Sequence, residues 1–244
     1  MMSADGSHAT VRLPPSLVPD GIPLRVVGDV HGDARAFALA VATDRFVIQL
    51  GDIVDYGPDS AEALRLALRM VEEGRGIFLL GNHEHKLRRA LGGRNVRVGP
   101  ELAVTLRQLD PGLRHQAAGV IDRAPVWLRQ RAADGSARMF VHGGFHTDML
   151  GHAPPPMPGG KVQGVLARAL YGQTTGRLQP DGYPERVLYW VDHIPAGMTV
   201  YVGHDRRSND GRPYLRTGRG GGTAVFLDTG AGKGGHLSWI DLPA

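Results

Sequence analysis

The sequence contains no cysteine. That excludes disulfides and thiolate ligands, so any metal site must draw on carboxylates, carboxamides and imidazoles. A reducing compartment, the cytoplasm, is the expected location. Lysine is scarce too: of 28 basic residues, only Lys86, Lys161 and Lys233 are lysines. No stretch approaches the roughly 18 uninterrupted apolar residues of a spanning helix, and a membrane is not among the expected partners. The first twenty residues hold Ser3, Asp5, His8, Arg12 and three prolines instead of the apolar run of a secretory signal. Aromatic residues amount to 6%; Trp127, Trp190 and Trp239 read as core or rim packing, not as platforms for nucleobases.

A length of 244 residues, with 42% hydrophobic and 21% charged, suits one large α/β domain. Residues 1–22 are polar and proline-rich and read as an N-terminal arm; the domain itself spans 23–244. The formal net charge is +4. Basic residues are densest at 86–97 and 206–219, where an anionic substrate would be attracted, and nucleic acid is one candidate partner on this ground.

Three apolar runs, at 24–27, 46–50 and 77–80, each end in glycine followed by a polar residue. Helical patterns follow them at 33–43, 59–73 and 84–91, and this alternation argues for α/β architecture. The second helix is well marked. Asp59 stands as N-cap with Glu62 three positions on, Leu64, Leu68 and Val71 share one face, and Gly74 closes it. Residues 92–135 read as helical with an interruption at Pro111. Strands follow at 138–141 and 199–202, and 224–227 with 237–240 read as a closing hairpin around the glycine-rich 230–235.

Five short strings stand at strand ends: Gly28-Asp-Val-His-Gly32, Gly51-Asp-Ile-Val-Asp55, Gly81-Asn-His-Glu84, His142-Gly-Gly144 and Gly203-His204. In α/β sheets, ligands bind at the carboxyl ends of strands, so Asp29, Asp52 and Asn82 are expected at one edge. The mixed oxygen and nitrogen donor set suits first-row divalent ions better than an all-oxygen cage for calcium or magnesium. A pair of such ions can clamp a phosphoryl group and lower the pKa of water. Singly each string is weak, because a Gly-Asp at a strand end is often only a turn. Five in order are specific.

Together the strings resemble the signature of the calcineurin-like metallophosphoesterases, phosphoprotein-phosphatase branch. The resemblance implies a four-layer αββα sandwich and a phosphoesterase cleaving phosphate mono- or diesters by metal-bound hydroxide. It implies two divalent ions, manganese foremost, with iron, zinc or nickel as alternatives. Asp29 and His31 would bind the first, Asp52 would bridge, and Asn82, His142 and His204 would hold the second. His83, paired with Asp55, would protonate the leaving group. Lys86-Leu87, Arg89, Leu91, 93–96, Thr105, Gln108 and Leu109 are similar to the phosphatase domain of bacterial polynucleotide kinase-phosphatases. So are Tyr171-Gly-Gln-Thr-Thr-Gly176 and Leu227-Asp-Thr-Gly230. Nucleotides or nucleic-acid ends are therefore the first expected substrates. The alternatives are phosphopeptides, for a serine/threonine or tyrosine phosphatase, and dinucleoside tetraphosphates.

Two positions depart from the pattern. Tyr56 stands where the branch has an arginine that grips substrate phosphate in a bidentate fork, and Asp205-Arg206-Arg207 follows the Gly-His pair in place of Thr-Pro. The expected substrate-binding residues are accordingly Asn82, Tyr56, Arg206 and Arg207, with either arginine supplying the missing guanidinium.

Overall fold

The computed structural model describes residues 17–19, 21–155, 162–180, 182 and 184–244. Most of the expected arm at 1–22 lies outside these residues, as does 156–161 of the Pro- and Gly-rich loop. Where the lead-in is described, Val18 is buried in the core.

Two mixed sheets form the centre. In the first, β1 (Leu24–Val27), β2 (Phe46–Gln49) and β3 (Gly76–Phe78) run parallel, and β11 (Trp239–Leu242) lies antiparallel beside β1. In the second, β5 (Ala137–Val141), β8 (Met198–Val202) and β10 (Thr223–Phe226) run parallel, flanked by antiparallel β4 (Trp127–Arg131) and β9 (Tyr214–Thr217), while β6 (Thr174–Leu178) and β7 (Pro184–Arg186) pair apart as an antiparallel ribbon. Period-two alternation assigns the faces. Val26, Ile48 and Leu79 join Phe140, Tyr201 and Val225 between the sheets, and the Phe140 and Tyr201 rings stack at 5.2 Å. Their neighbours Val27, Val47 and Phe78 share a cluster with Phe37, Leu64 and Met70, which come from α1 (Ala34–Val41) and α2 (Ser60–Glu72). Helices α3 (Asn82–Leu91), α4 (Pro100–Gln108) and α5 (Pro111–Ile121) continue that layer, and α6 (Gly164–Tyr171) adds Ala169 and Leu170 to the cluster that holds Val141, Val202 and Phe226. The expected four-layer αββα sandwich is the fold of the chain.

Two expectations fail. Strand β4 lies inside a stretch that reads as helical, because Leu, Arg and Gln carry good helix propensity and only pairing with β5 overrides it. The expected closing hairpin does not form either: β10 belongs to the second sheet and β11 to the first. The intervening segment crosses between sheets, with the Gly28 N–H donating to the Ser238 carbonyl at 3.0 Å. That crossing brings 228–236 to the edge where the parallel strands end.

Candidate metal centre

Six parallel strands, three per sheet, deliver their carboxyl ends to one edge. Each is followed by a string with a polar side chain: Asp29 after β1, Asp52 after β2, Asn82 after β3, His142 after β5, His204 after β8 and Asp228 after β10. The backbone there is strained. Among the described residues, every non-glycine with positive φ lies in these strings or directly after one: His31 (46°), Asp52 (57°), Asp55 (73°), Tyr56 (68°) and His204 (60°). Such conformations persist only where the surroundings over-determine them. Here the loops interlock: the amides of Val30 and His31 both donate to the Asp52 carbonyl at 3.0 and 2.9 Å, and the Gly32 N–H donates to Ile53 at 2.8 Å. A Cβ on Gly203 would overlap the Asp29 carboxylate, so the two sheets meet here without room for any side chain.

All six expected ligands converge. The His31 Nε2 lies 3.7 Å from Asp29 Oδ2 and 3.8 Å from Asp52 Oδ2. On the other side of Asp52, His142 Nε2 stands 3.4 Å from the same oxygen and 3.1 Å from Asn82 Oδ1. The His204 ring is 5.0 Å from that of His142, and both Asp29 oxygens accept the His204 backbone N–H at 3.0 Å. Two triads have ligand atoms all within 4.8 Å of one another: His31, Asp52 and His83, and Asp52, His142 and His204. Asp52 is common to both.

The donors are pre-aimed. His31 Nδ1 donates to the Val54 carbonyl at 3.2 Å and His142 Nδ1 to that of Leu50 at 2.8 Å, which turns each Nε2 inward. The buried Nε2 atoms of His31 and His204 have no hydrogen-bond partner among the described residues. Orphaned buried imidazole nitrogens facing paired carboxylates are what a divalent cation would satisfy. The residues present fit such ions.

Electrostatics agree. Burial, then the neighbouring Asp228, pushes the Asp29 carboxyl well above the usual range. Burial acts the same way on Asp52, but His142, His83 and His31 outweigh it and hold that carboxyl well below. Burial disfavours charge on His142, and Asp52 more than reverses this, raising it to about 9. His31 and His204 are driven well below the usual imidazole value, chiefly by burial.

Beside the cluster, His83 Nδ1 and Asp55 Oδ2 are 2.5 Å apart. Burial opposes charge on His83, but Asp52 and Asp55 raise its pKa above the ordinary value. Thr105 donates its hydroxyl to Asp55 at 2.6 Å, and Gln108 accepts the Ser60 N–H at 2.8 Å while donating to the Pro58 carbonyl at 2.9 Å. The segment following Asn82-His83 therefore braces the Asp55 loop. The expected substrate residues also gather here. The Tyr56 ring lies 5.0 Å from His31 and 5.4 Å from His83. Arg207 pairs with Asp205 at 2.5 Å, while Arg206 is exposed and runs along Gly230. Both line a cavity of about 460 Å³ with His204, Asp228, Lys233 and Arg186.

Three residues of this edge were not singled out from the sequence. Glu84 is fully buried and accepts the Asp52, Ile53 and Val54 amides at 2.7, 2.8 and 3.3 Å; burial and Asp52 raise its pKa to about 7. Asp228 is buried beside Asp29, and Lys233 stands over Tyr56. Asp228 ends an apolar run just as Asp29 and Asp52 do, but reading that run as a hairpin hides the signal.

The fold and this cluster define a class, and the comparisons agree: the calcineurin-like phosphoesterase family matches residues 22–164, and the chain belongs to it. It is a phosphoester hydrolase. A bis(5′-nucleosyl)-tetraphosphatase (asymmetrical) of Anoxybacillus flavithermus is 26% identical over 239 residues, covering 89% of each chain. The crystal structure of a candidate diadenosine tetraphosphatase superposes with a TM-score of 0.59 at 22% identity, covering 91% of this chain and 90% of that one. A protein serine/threonine phosphatase from Saccharomyces cerevisiae gives 0.58 at 15%, covering 92% and 80%. The two solved structures carry the fold alone, and the family rests on the match over residues 22–164. The finer expectation of a polynucleotide kinase-phosphatase relative has no counterpart among these three. Among the described residues, no helix is long and apolar enough to cross a membrane.

Proposed function

We propose that the chain hydrolyses dinucleoside tetraphosphates, holding two divalent cations, manganese foremost, in the cluster at the strand ends. The observation that carries this reading is the cavity of about 460 Å³ that opens from His204 and is lined by Arg186, Arg206, Arg207 and Lys233. A single phosphomonoester needs one or two cations; four around one cavity, outnumbering its carboxylates Glu185, Asp205 and Asp228, suit a polyphosphate chain. The relative from Anoxybacillus flavithermus, named for that activity, supports it.

In this reading Asp29, His31, Asp52, Asn82, His142 and His204 would hold the cations. Bound there, the cations supply Lewis acidity, lowering the pKa of the attacking water and neutralising phosphoryl charge. The chain's own groups do the rest. His83 carries the proton for the departing oxygen, and Asp55, hydrogen-bonded to its Nδ1, keeps the imidazole charged with Nε2 toward the cluster, 3.9 Å from Asp52 Oδ2. Asn82 reaches the cluster from the first turn of α3 and is placed to donate its amide N–H to a phosphoryl oxygen. Glu84 fixes the backbone that presents Asp52.

The test is a comparison of kcat/KM with manganese added, across diadenosine tetraphosphate, a 5′-phosphorylated oligonucleotide, 2′,3′-cyclic nucleotides, phosphoserine and phosphotyrosine peptides, and p-nitrophenyl phosphate. The tetraphosphate should lead by at least about tenfold. A lead for any peptide or oligonucleotide refutes the substrate.

A further inference from the structure

We propose that Lys233, in the segment crossing between the sheets, is the cation that grips the phosphoryl group under attack. This assignment rests on the phosphoester hydrolase reading and not on the tetraphosphate substrate. The Lys233 nitrogen stands 4.3 Å from the centroid of the Tyr56 ring, and that ring contacts His31 and His83 edge-on. A lysine is thus set on the aromatic wall of the metal cluster.

The placement is built into the backbone. The turn at 228–236 is tied at both ends: the Asp228 carboxylate accepts the Gly230 N–H at 3.0 Å, and the Lys233 and Gly235 amides donate to the Gly230 carbonyl at 3.0 and 2.9 Å. Gly232 has φ +69°, and a Cβ there would overlap the His31 carbonyl oxygen. The chain therefore runs directly against a proposed metal ligand, and the next residue is the lysine. Lys233 is exposed, so an entering phosphate can reach it. The ring beneath steadies a long side chain through a cation–π contact. That contact holds the lysine in the geometry it needs before substrate arrives.

Two of the other three cations of the cleft already hold a partner. Arg207 is paired with Asp205, and Arg186 donates to the Tyr171 carbonyl at 3.2 Å. Arg206, from the loop after β8, lies along Gly230. These suit the remainder of a phosphate chain. Tyr56 offers a hydroxyl, which hydrogen-bonds but carries no charge at neutral pH. The cation expected from Arg206 or Arg207 at this position comes instead from a residue some 180 positions from Tyr56 in sequence, delivered by the crossing between sheets.

The experiment measures binding of inorganic phosphate to the manganese-loaded protein by calorimetry, alongside kcat and KM for p-nitrophenyl phosphate. Lys233→Ala should weaken phosphate binding and raise KM about tenfold or more with full metal content. Lys233→Arg should hold both within about threefold of the wild type. The double variant Tyr56→Arg with Lys233→Ala, which moves the cation to the other side of the same contact, should recover phosphate affinity. Unchanged phosphate binding in Lys233→Ala overturns the assignment, and so does loss of metal, since the residue would then serve the centre's integrity. Failure of the tetraphosphate as a substrate leaves these readings unaffected.

Discussion

At the scale of single residues, the site is a set of side chains whose ordinary preferences are overruled. His31, Asp52 and His204 adopt a left-handed backbone that glycine would take more readily, and each offers a donor atom to the cluster. His83 owes its raised pKa to three carboxylates, Asp52, Asp55 and Glu84, acting against burial. Its charged form is fully favoured below the unfolded value near 6.5 and is lost as pH rises through the higher folded value. Asp55→Asn should therefore move the imidazole titration of His83 downward, followed by NMR on the metal-free protein; an upward move contradicts the assigned pairing. His83→Ala should slow an alkyl phosphate about 10²-fold or more. It should leave diadenosine tetraphosphate, whose phosphate leaving group is far less basic than an alkoxide and leans less on the acid, within about tenfold. Equal losses on both would show that His83 is not the acid.

At the scale of elements, α2 and the loops before it hold the site in place. Asp59 caps α2 by accepting the Glu62 N–H at 2.9 Å, and Leu64 is wholly buried beneath it. Leu64→Ala should cost about 2–5 kcal/mol by denaturant unfolding; a smaller loss would mean that the layer is loosely packed. Glu84 has a different task, because it satisfies three amides of the strained loop after β2. Glu84→Ala should lose on the order of 2–3 kcal/mol and weaken metal retention. A variant as stable and as metal-rich as the wild type would remove Glu84 from that task. Element by element, the sequence was legible where periodicity and punctuation agreed: β1 is bounded as read, and Asp59 and Gly74 mark the ends of α2. It misled where pairing overrides propensity, as at Trp127–Arg131. It also misled where two adjacent strands part company, as at β10 and β11. Periodicity says that each is a strand and is silent on which sheet it joins. Asp228 and Lys233 were missed for that reason, since a residue's nearness to the cluster depends on the crossing between sheets.

At the scale of the whole molecule, two sheets that share one buried core bring six strand ends to one edge, and the price is a concentration of buried carboxylates. Asp29 and Asp228 are both raised by burial. In the metal-free protein, stability is greatest while these carboxyls are protonated and falls as pH climbs from the unfolded value near 3.8 through the raised folded values. Bound cations reverse the balance by mass action. With chelator at neutral pH, Asp29→Asn should melt higher than the wild type, and with manganese the order should invert. A variant that melts lower under both conditions would show that Asp29 is a structural carboxylate only. The central claim, that Asp29, His31, Asp52, Asn82, His142 and His204 form one binuclear centre, is tested most directly by anomalous diffraction from manganese-loaded crystals. Two peaks roughly 3.5–4 Å apart with Asp52 between them are predicted; one peak, or two that leave any of the six side chains beyond coordinating distance, would contradict it.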